Sequence, residues 1–223
     1  MLLHGYLSKK ESFYYQIEFL LKHFEVIAFD FPGFGASAPL DAAWSVGDYA
    51  EWLVRFLKAQ NAAHVHILAH SFGARVAFKA LSAHPEIAKS LIITGGAGLV
   101  KPRSPEYIRR VNAYRRIKKF FPKFAERHFG SKEYRTLPPV MRESYKKIVN
   151  EDLSACASNI KCRTHLIYGK DDTVTPPSEE GETFHGLIAG SSFELMDGGH
   201  FCFSEYPEMF NEKIFNFLSI LSK

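Results

Sequence analysis

The chain reads as an α/β protein, a mostly parallel sheet with helices on both faces and a small helical insertion. Three observations predict this. Short apolar runs alternate with amphipathic helical stretches along most of the 223 residues. One alternation turns sharply through a serine flanked by small residues, at Ala69-His-Ser-Phe-Gly73. The middle breaks the pattern, with helical periodicity and no convincing strand over residues 101–147.

Each element follows from its local pattern. Residues 1–3 are a strand end, closed by His4-Gly5. Residues 13–24 carry apolar side chains at helical spacing, and 26–30 form a strand stopped by Pro32, Gly33 and Gly35. Residues 46–60 form a helix with Tyr49, Leu53, Phe56 and Leu57 along one stripe. A strand at 65–69 runs into Ser71, and a helix over 74–83 leads away from it. Strands follow at 91–94, 166–168 and 193–196, and a helix over 207–221 closes the chain. Strands and helices in this order imply a parallel sheet buried on both faces.

The serine turn carries the chemistry. Small residues at Ala69 and Gly73 are what a tight strand–serine–helix turn requires, because larger side chains would strike the neighbouring strand or helix. The turn presents Ser71 Oγ at a helix N-terminus, where negative charge is stabilised. A serine before a helix is more often only a cap. A serine nucleophile also needs a base and an acid that orients the base. Downstream, Gly169-Lys-Asp-Asp172 follows a strand and offers two acids, Asp171 and Asp172. Gly198-Gly-His200 follows the next strand and offers a base. In an open α/β sheet such strand ends share one edge, where ligands bind.

These pieces resemble the α/β-hydrolases, in particular the capped serine hydrolases such as carboxylesterases and the meta-cleavage-product carbon–carbon hydrolases. The matching strings are His4-Gly5-Tyr6, Asp30-Phe-Pro-Gly-Phe-Gly-Ala-Ser37, Ala69-His-Ser-Phe-Gly73, Gly169-Lys-Asp-Asp172 with Pro176, and Gly199-His-Phe201 with Glu205 and Pro207. The resemblance implies a nucleophile at Ser71, a base at His200 and an orienting acid at Asp172, selected over Asp171 by the proline four residues on. It implies an oxyanion hole made by the backbone N–H groups of Tyr6 and Phe72. It implies a core of residues 1–99 and 156–223 and a helical cap over 100–155. Phe34 and Phe201 are expected to line the substrate pocket.

Two departures stand out. Ala69 sits where glycine is commoner, and a methyl group should be tolerated there. The first two strands of the usual fold are absent, since His4 follows Met1 by three residues. The strand at 26–30 then becomes an exposed edge, which invites pairing. Either the start is engineered or misassigned, or a natural short form covers the edge by association, as in a homodimer.

Composition bounds the rest. No run of 18 uncharged apolar residues is present, so no stable membrane insertion is expected. No secretory leader is read, and three sparse cysteines suit a reducing cytoplasm. Gly33-Phe-Gly35 lacks the third glycine and the following helix of a dinucleotide loop, Gly95-Gly-Ala-Gly98 reads as the exit from a strand into the cap, and no cofactor or metal is expected. Residues 101–147 hold 15 Lys and Arg against 4 Glu, a formal +11 where the whole chain is +4. Such a cap would attract anionic substrates. The basic run from Arg109 to Lys119 is not accompanied by any nucleic-acid module, so no nucleic-acid partner is expected. Arg75, four residues after the serine, is expected to bridge to an acid within the fold.

The function expected is a serine hydrolase cleaving a small ester or related acyl substrate through an acyl-enzyme. One alternative keeps the three residues but cleaves a carbon–carbon bond in a carboxylated substrate. Another is a non-catalytic ligand-binding protein on the same fold.

Overall fold

The computed structural model describes residues 1–100 and 136–220, with positions 106, 109, 111–113 and 116 between them. The helical patterns expected elsewhere in 101–135 lie outside the described residues, as does Leu221. The sheet has five strands, all parallel, in the order β1 (Leu2–Leu3), β2 (Val65–His70), β3 (Ala88–Thr94), β4 (Arg163–Gly169) and β5 (Ser192–Met196). Helices outside the 101–135 stretch include α1 (Tyr14–Leu20), α2 (Val46–Ala59), α3 (Phe72–Ala83), α4 (Pro139–Val149), α5 (Ser154–Ser158), α6 (Glu182–Leu187), α7 (Cys202–Glu205) and α8 (Pro207–Ile220).

Strand periodicity divides the core in two. Leu3, Ile67, Ala69, Leu91, Ile93, Leu166 and Tyr168 point to one face, against Leu53 of α2 and Phe72 and Val76 of α3. Leu2, Leu68, Ile92, Ile167 and Met196 point to the other, against Leu20 of α1 and Phe210 and Ile214 of α8. Both faces are therefore apolar, as a parallel sheet demands. α2 starts at a capping box: the Ser45 side chain accepts from Asp48 N, and Asp48 Oδ2 accepts from Ser45 N.

Two elements are shorter than their patterns predict. The helix expected over 13–24 ends at Leu20, and residues 21–24 continue as turns tied by Phe24 N to Leu20 O. The strand expected over 26–30 is reduced to one parallel bridge, Leu2 with Ala28, plus the bond from Leu2 N to Ile27 O. Its neighbour β1 is two residues long, so there is little backbone to pair with.

β3 pairs directly with β4 although about seventy residues separate them. The chain leaves the sheet after Thr94 and rejoins it at Arg163, and Leu137, Met141 and Ile148 of the intervening segment are buried in the same core cluster as α2 and α3; the ends of that segment meet at Gly98 and Leu153. The two ends are tied there: Leu153 N donates to Gly98 O at 2.9 Å, and Val100 N to an Asp152 carboxylate oxygen at 2.9 Å.

Candidate active site

The C-terminal ends of β1 to β5 bring their loops to one edge. Ser71 lies between β2 and α3 with φ 51° and ψ −107°, a conformation that costs a residue with a side chain and persists only where the surroundings enforce it. Its N–H donates to Thr94 O on β3, and its carbonyl accepts from Ala74 N at 3.1 Å. Its side chain makes no capping bond to α3, so the hydroxyl is not spent as a helix cap.

Gly73 is required by space. A Cβ there would stand 2.2 Å from Leu3 O. Ala69, the departure on the other side of the serine, is fully buried with its methyl in the core.

Asp172 and His200 meet. His200 Nδ1 lies 2.8 Å from Asp172 Oδ2, and the Asp172 side chain is wholly buried. Because a carboxylate only accepts, the bond places the proton on Nδ1 and leaves Nε2 as the basic nitrogen. Asp172 Oδ1 accepts from the N–H groups of Val174 and Thr175, and Oδ2 also accepts from Thr175 Oγ1 at 2.8 Å. Burial opposes ionisation of Asp172, but the bonds from His200 and Thr175 outweigh it and hold the carboxyl below its ordinary range. Asp171 is exposed and reaches the base loop only through its backbone, Asp171 N to Gly198 O.

The acid and base loops touch backbone to backbone. A Cβ on Gly169 would stand 2.2 Å from Gly199 O. Glu205 fixes the base loop by accepting from Gly199 N at 2.8 Å.

The loop after β1 is held by His4, which is fully buried. Its Nδ1 lies 2.8 Å from Gly5 O and must donate; its Nε2 therefore accepts from Phe31 N at 2.9 Å. Burial lowers the His4 pKa, so the ring stays neutral as both bonds require. Tyr6 follows, with its ring against Phe34, Phe72 and Tyr145 and its hydroxyl donating to Met141 O on α4. Phe72 is the first residue of α3, where N–H groups have no intrahelical acceptor.

A cavity of about 400 Å³ opens above Ser71 and His200. Tyr6, Arg75, Tyr145, Ile148, Glu180 and Phe201 are among its walls. Leu7, Val174 and Phe201 form an exposed apolar rim. Phe201, one of the two expected pocket residues, lines this cavity. Phe34 does not: it is 5% exposed and packs beneath Tyr6 and against His4. Its turn carries it under the loop after β1 rather than into the opening.

Arg75 corrects a second expectation. Among the described residues it forms no ion pair; Nη1 instead donates to the carbonyls of Ile148 and Glu151 at the end of α4. Burial lowers its pKa, opposed first by the charge of Glu180 in the same cavity.

Sequence reasoning missed three neighbours of the His200–Asp172 pair. Thr175, just before Pro176, bonds both partners, with Oγ1 3.2 Å from His200 Nδ1. Gly95, at φ 51°, leaves the room they occupy: a Cβ there would stand 3.0 Å from His200 Nδ1. His70 packs beside the His200 ring. The glycine run at 95–98 and the Thr-Pro string were visible as signals, but nothing local tied them to residue 200. Among the described residues no His, Cys, Asp and Glu cluster could hold a metal ion.

The structure is thus a parallel sheet with a strained serine turn at its carboxyl edge and a hydrogen-bonded His–Asp pair on two neighbouring loops of that edge. The chain belongs to the alpha/beta hydrolase fold family, whose model matches residues 1–135. It is 23% identical over 228 residues to the (E)-2-((N-methylformamido)methylene)succinate hydrolase of Acinetobacter baylyi, covering 95% of this chain and 87% of that protein. It is 26% identical over 227 residues to the 2-hydroxy-6-oxononadienedioate/2-hydroxy-6-oxononatrienedioate hydrolase of Escherichia coli, covering 88% and 77%. The esterase EaEST from Exiguobacterium antarcticum has the same fold, with TM-score 0.78 at 23% identity over 100% of this chain and 91% of that one. The family and these hydrolase relatives make the chain an α/β-fold hydrolase of small substrates.

Proposed function

We propose that the protein is a serine hydrolase that cleaves a small ester or related acyl compound. The observation that carries this is the 2.8 Å bond between His200 Nδ1 and the buried Asp172, on the same sheet edge as an uncapped, strained Ser71. Ser71 Oγ attacks the acyl carbon while His200 Nε2 takes its proton, and the former carbonyl oxygen becomes an oxyanion. The N–H groups of Tyr6 and Phe72 receive that charge. The carbon–leaving-group bond breaks as His200 returns the proton to the departing oxygen. Water then gives a proton to His200 and its oxygen to the acyl carbon, releasing acid and restoring Ser71. Asp172 holds the imidazole in the required tautomer throughout.

The test is labelling with a fluorophosphonate and location of the adduct by mass spectrometry. Labelling at Ser71, absent in Ser71→Ala and in His200→Ala, is expected. Ser71→Ala should also lower kcat by about four or more orders of magnitude. A folded protein that does not label, or a mutant that keeps a tenth of the activity, would overturn the assignment in favour of a binding role.

A second reading keeps the same residues but gives them a carboxylated substrate, with ester or carbon–carbon bond cleavage. Arg75 favours it: a cation 7% exposed, lining the cavity, with no carboxylate in ion-pair reach among the described residues. Buried charges are ordinarily paired, and a substrate carboxylate would supply the partner. Two hydrolase relatives whose names specify succinate and dioate compounds point the same way. Turnover of a dienoate dione against a nitrophenyl ester separates the two reactions.

In this reading residues 100–155 cover the site, and the enzyme works in the cytoplasm with its three cysteines as thiols. No helix among the described residues is long and apolar enough to cross a membrane. A second copy covering the edge at residues 26–28 is the proposed assembly, tested by sedimentation equilibrium.

A further inference from the structure

His70, the last residue of β2, is 1% exposed and lies between the three loops of the site. Its Nε2 is 2.9 Å from the carbonyl oxygen of His200; a carbonyl only accepts, so Nε2 carries the hydrogen and donates. Its ring lies 4.6 Å from the His200 ring, centroid to centroid, and is packed from behind by Phe201 and Phe203 at 5.0 and 4.8 Å. Its other nitrogen, Nδ1, is buried and has no hydrogen-bond partner among the described residues. That nitrogen faces the loop after β1: a Cβ placed on Gly5 would stand 2.8 Å from it. Gly5 has no positive φ to explain its lack of a side chain, so the close approach of His70 is the reason.

We propose that His70 is a positioning residue: it fixes the backbone of His200 through Nε2–H and sets the stand-off of the Gly5–Tyr6 loop through the Nδ1 edge of its ring. The inference rests on the reading of Ser71 and His200 as nucleophile and base. One rigid ring then gauges the base loop and the oxyanion loop from the strand that carries the nucleophile. A shift of the ring moves all three groups relative to one another, and misplacement near 1 Å is enough to cost about 10²-fold in rate. Burial, and then the charge of His200, push the His70 pKa down to about 3. The ring therefore stays neutral and adds no second cation when His200 takes the serine proton.

The experiment compares His70→Phe, His70→Gln, Gly5→Ala, His70→Ala and the Gly5→Ala/His70→Ala pair, with a nitrophenyl ester as substrate. Phe keeps the ring and loses the donor; Gln keeps an amide N–H donor near the same reach. His70→Phe is expected to lower kcat about 10- to 100-fold with little change in KM, and His70→Gln, which restores the donor but not the ring, to recover part of that loss. Gly5→Ala is expected to cost more in the wild-type background than in the His70→Ala background, because the ring it strikes is gone. Thermal unfolding identifies any variant that fails to fold, and the Gly5 comparison decides the matter where His70→Phe does so. An unchanged kcat in folded His70→Phe, a His70→Gln no better than His70→Phe, or effects of Gly5→Ala and His70→Ala that simply multiply would overturn the proposal. Loss of the Ser71 requirement would instead overturn the hydrolase reading beneath it.

Discussion

Replacing Gly73 by alanine should damage stability and catalysis together. The added Cβ would stand 2.2 Å from Leu3 O, 2.7 Å from Leu3 C and 2.9 Å from Leu3 Cβ, where ordinary contact begins at 3.4 Å. The obstacle is backbone, so no side chain can rotate away, and β1 or α3 must retreat by on the order of 1 Å. β1 is the weaker member, being two residues paired with Leu68 and Ala69. Overpacking of this kind costs about 1–3 kcal/mol. Leu3 leads directly into His4, Gly5 and Tyr6, so its displacement carries with it the loop proposed to receive the oxyanion. A misplacement of that size lowers kcat about 10²-fold. Urea denaturation reads the first effect, and ester turnover with the fluorophosphonate labelling rate reads the second. A Gly73→Ala protein within about 0.5 kcal/mol of wild type and undiminished in turnover would refute the claim that the turn sets the oxyanion loop.

Asp172→Asn should lower kcat about 10⁴-fold by losing the tautomer it enforces, whereas Asp171→Asn should leave kinetics nearly unchanged; the reverse result would move the acid to Asp171. Arg75→Met should raise KM for a dicarboxylic acid mono-nitrophenyl ester far more than for a neutral ester of equal length. Equal losses on both would confine Arg75 to holding the end of α4. Acid should destabilise the fold well above the carboxylate range. His4, His70 and His165 are buried with lowered pKa values. Below about pH 6.5 the unfolded chain therefore binds protons that the folded one refuses, and each histidine removes up to about 1.4 kcal/mol per pH unit. For His70 the loss continues down to about pH 3. Asp172, held low, contributes fully above its ordinary value of 3.8 and loses that contribution as pH falls through its folded value. Urea midpoints should fall from pH 7.5 to 5; a flat profile would refute the buried neutral histidines.

Much of this was legible in the sequence because it is local. The period of residues 46–60 gave a helix one residue longer than α2, and the strand–serine–helix string placed β2, Ser71 and α3. Gly169-Lys-Asp-Asp172 placed the acid at the position that meets His200. What failed depends on neighbours distant in sequence. The strand at 26–30 has the right composition, but its pairing is limited by the length of β1. Phe34 is a pocket candidate by proximity to a motif, yet its turn folds it beneath Tyr6. His70 stands between Ala69 and Ser71 with no local signal of a role, and its contacts are with residues 5 and 200. Tyr145 and Ile148 line the cavity from a segment with no motif at all.

The tie between Gly98 and Leu153 makes the stretch between them a side branch of the sheet. β3 and β4 close beneath it whatever its size, and loop-closure entropy grows only as the logarithm of length, about 0.6 kcal/mol per doubling. The part of the branch that packs on the core, through Leu137, Met141 and Ile148, is fixed by that packing, and only length added outside it costs the sheet little. Insertions and deletions outside Leu137, Met141 and Ile148 can then change what surrounds the cavity while the loops carrying Ser71, Asp172 and His200 keep their places.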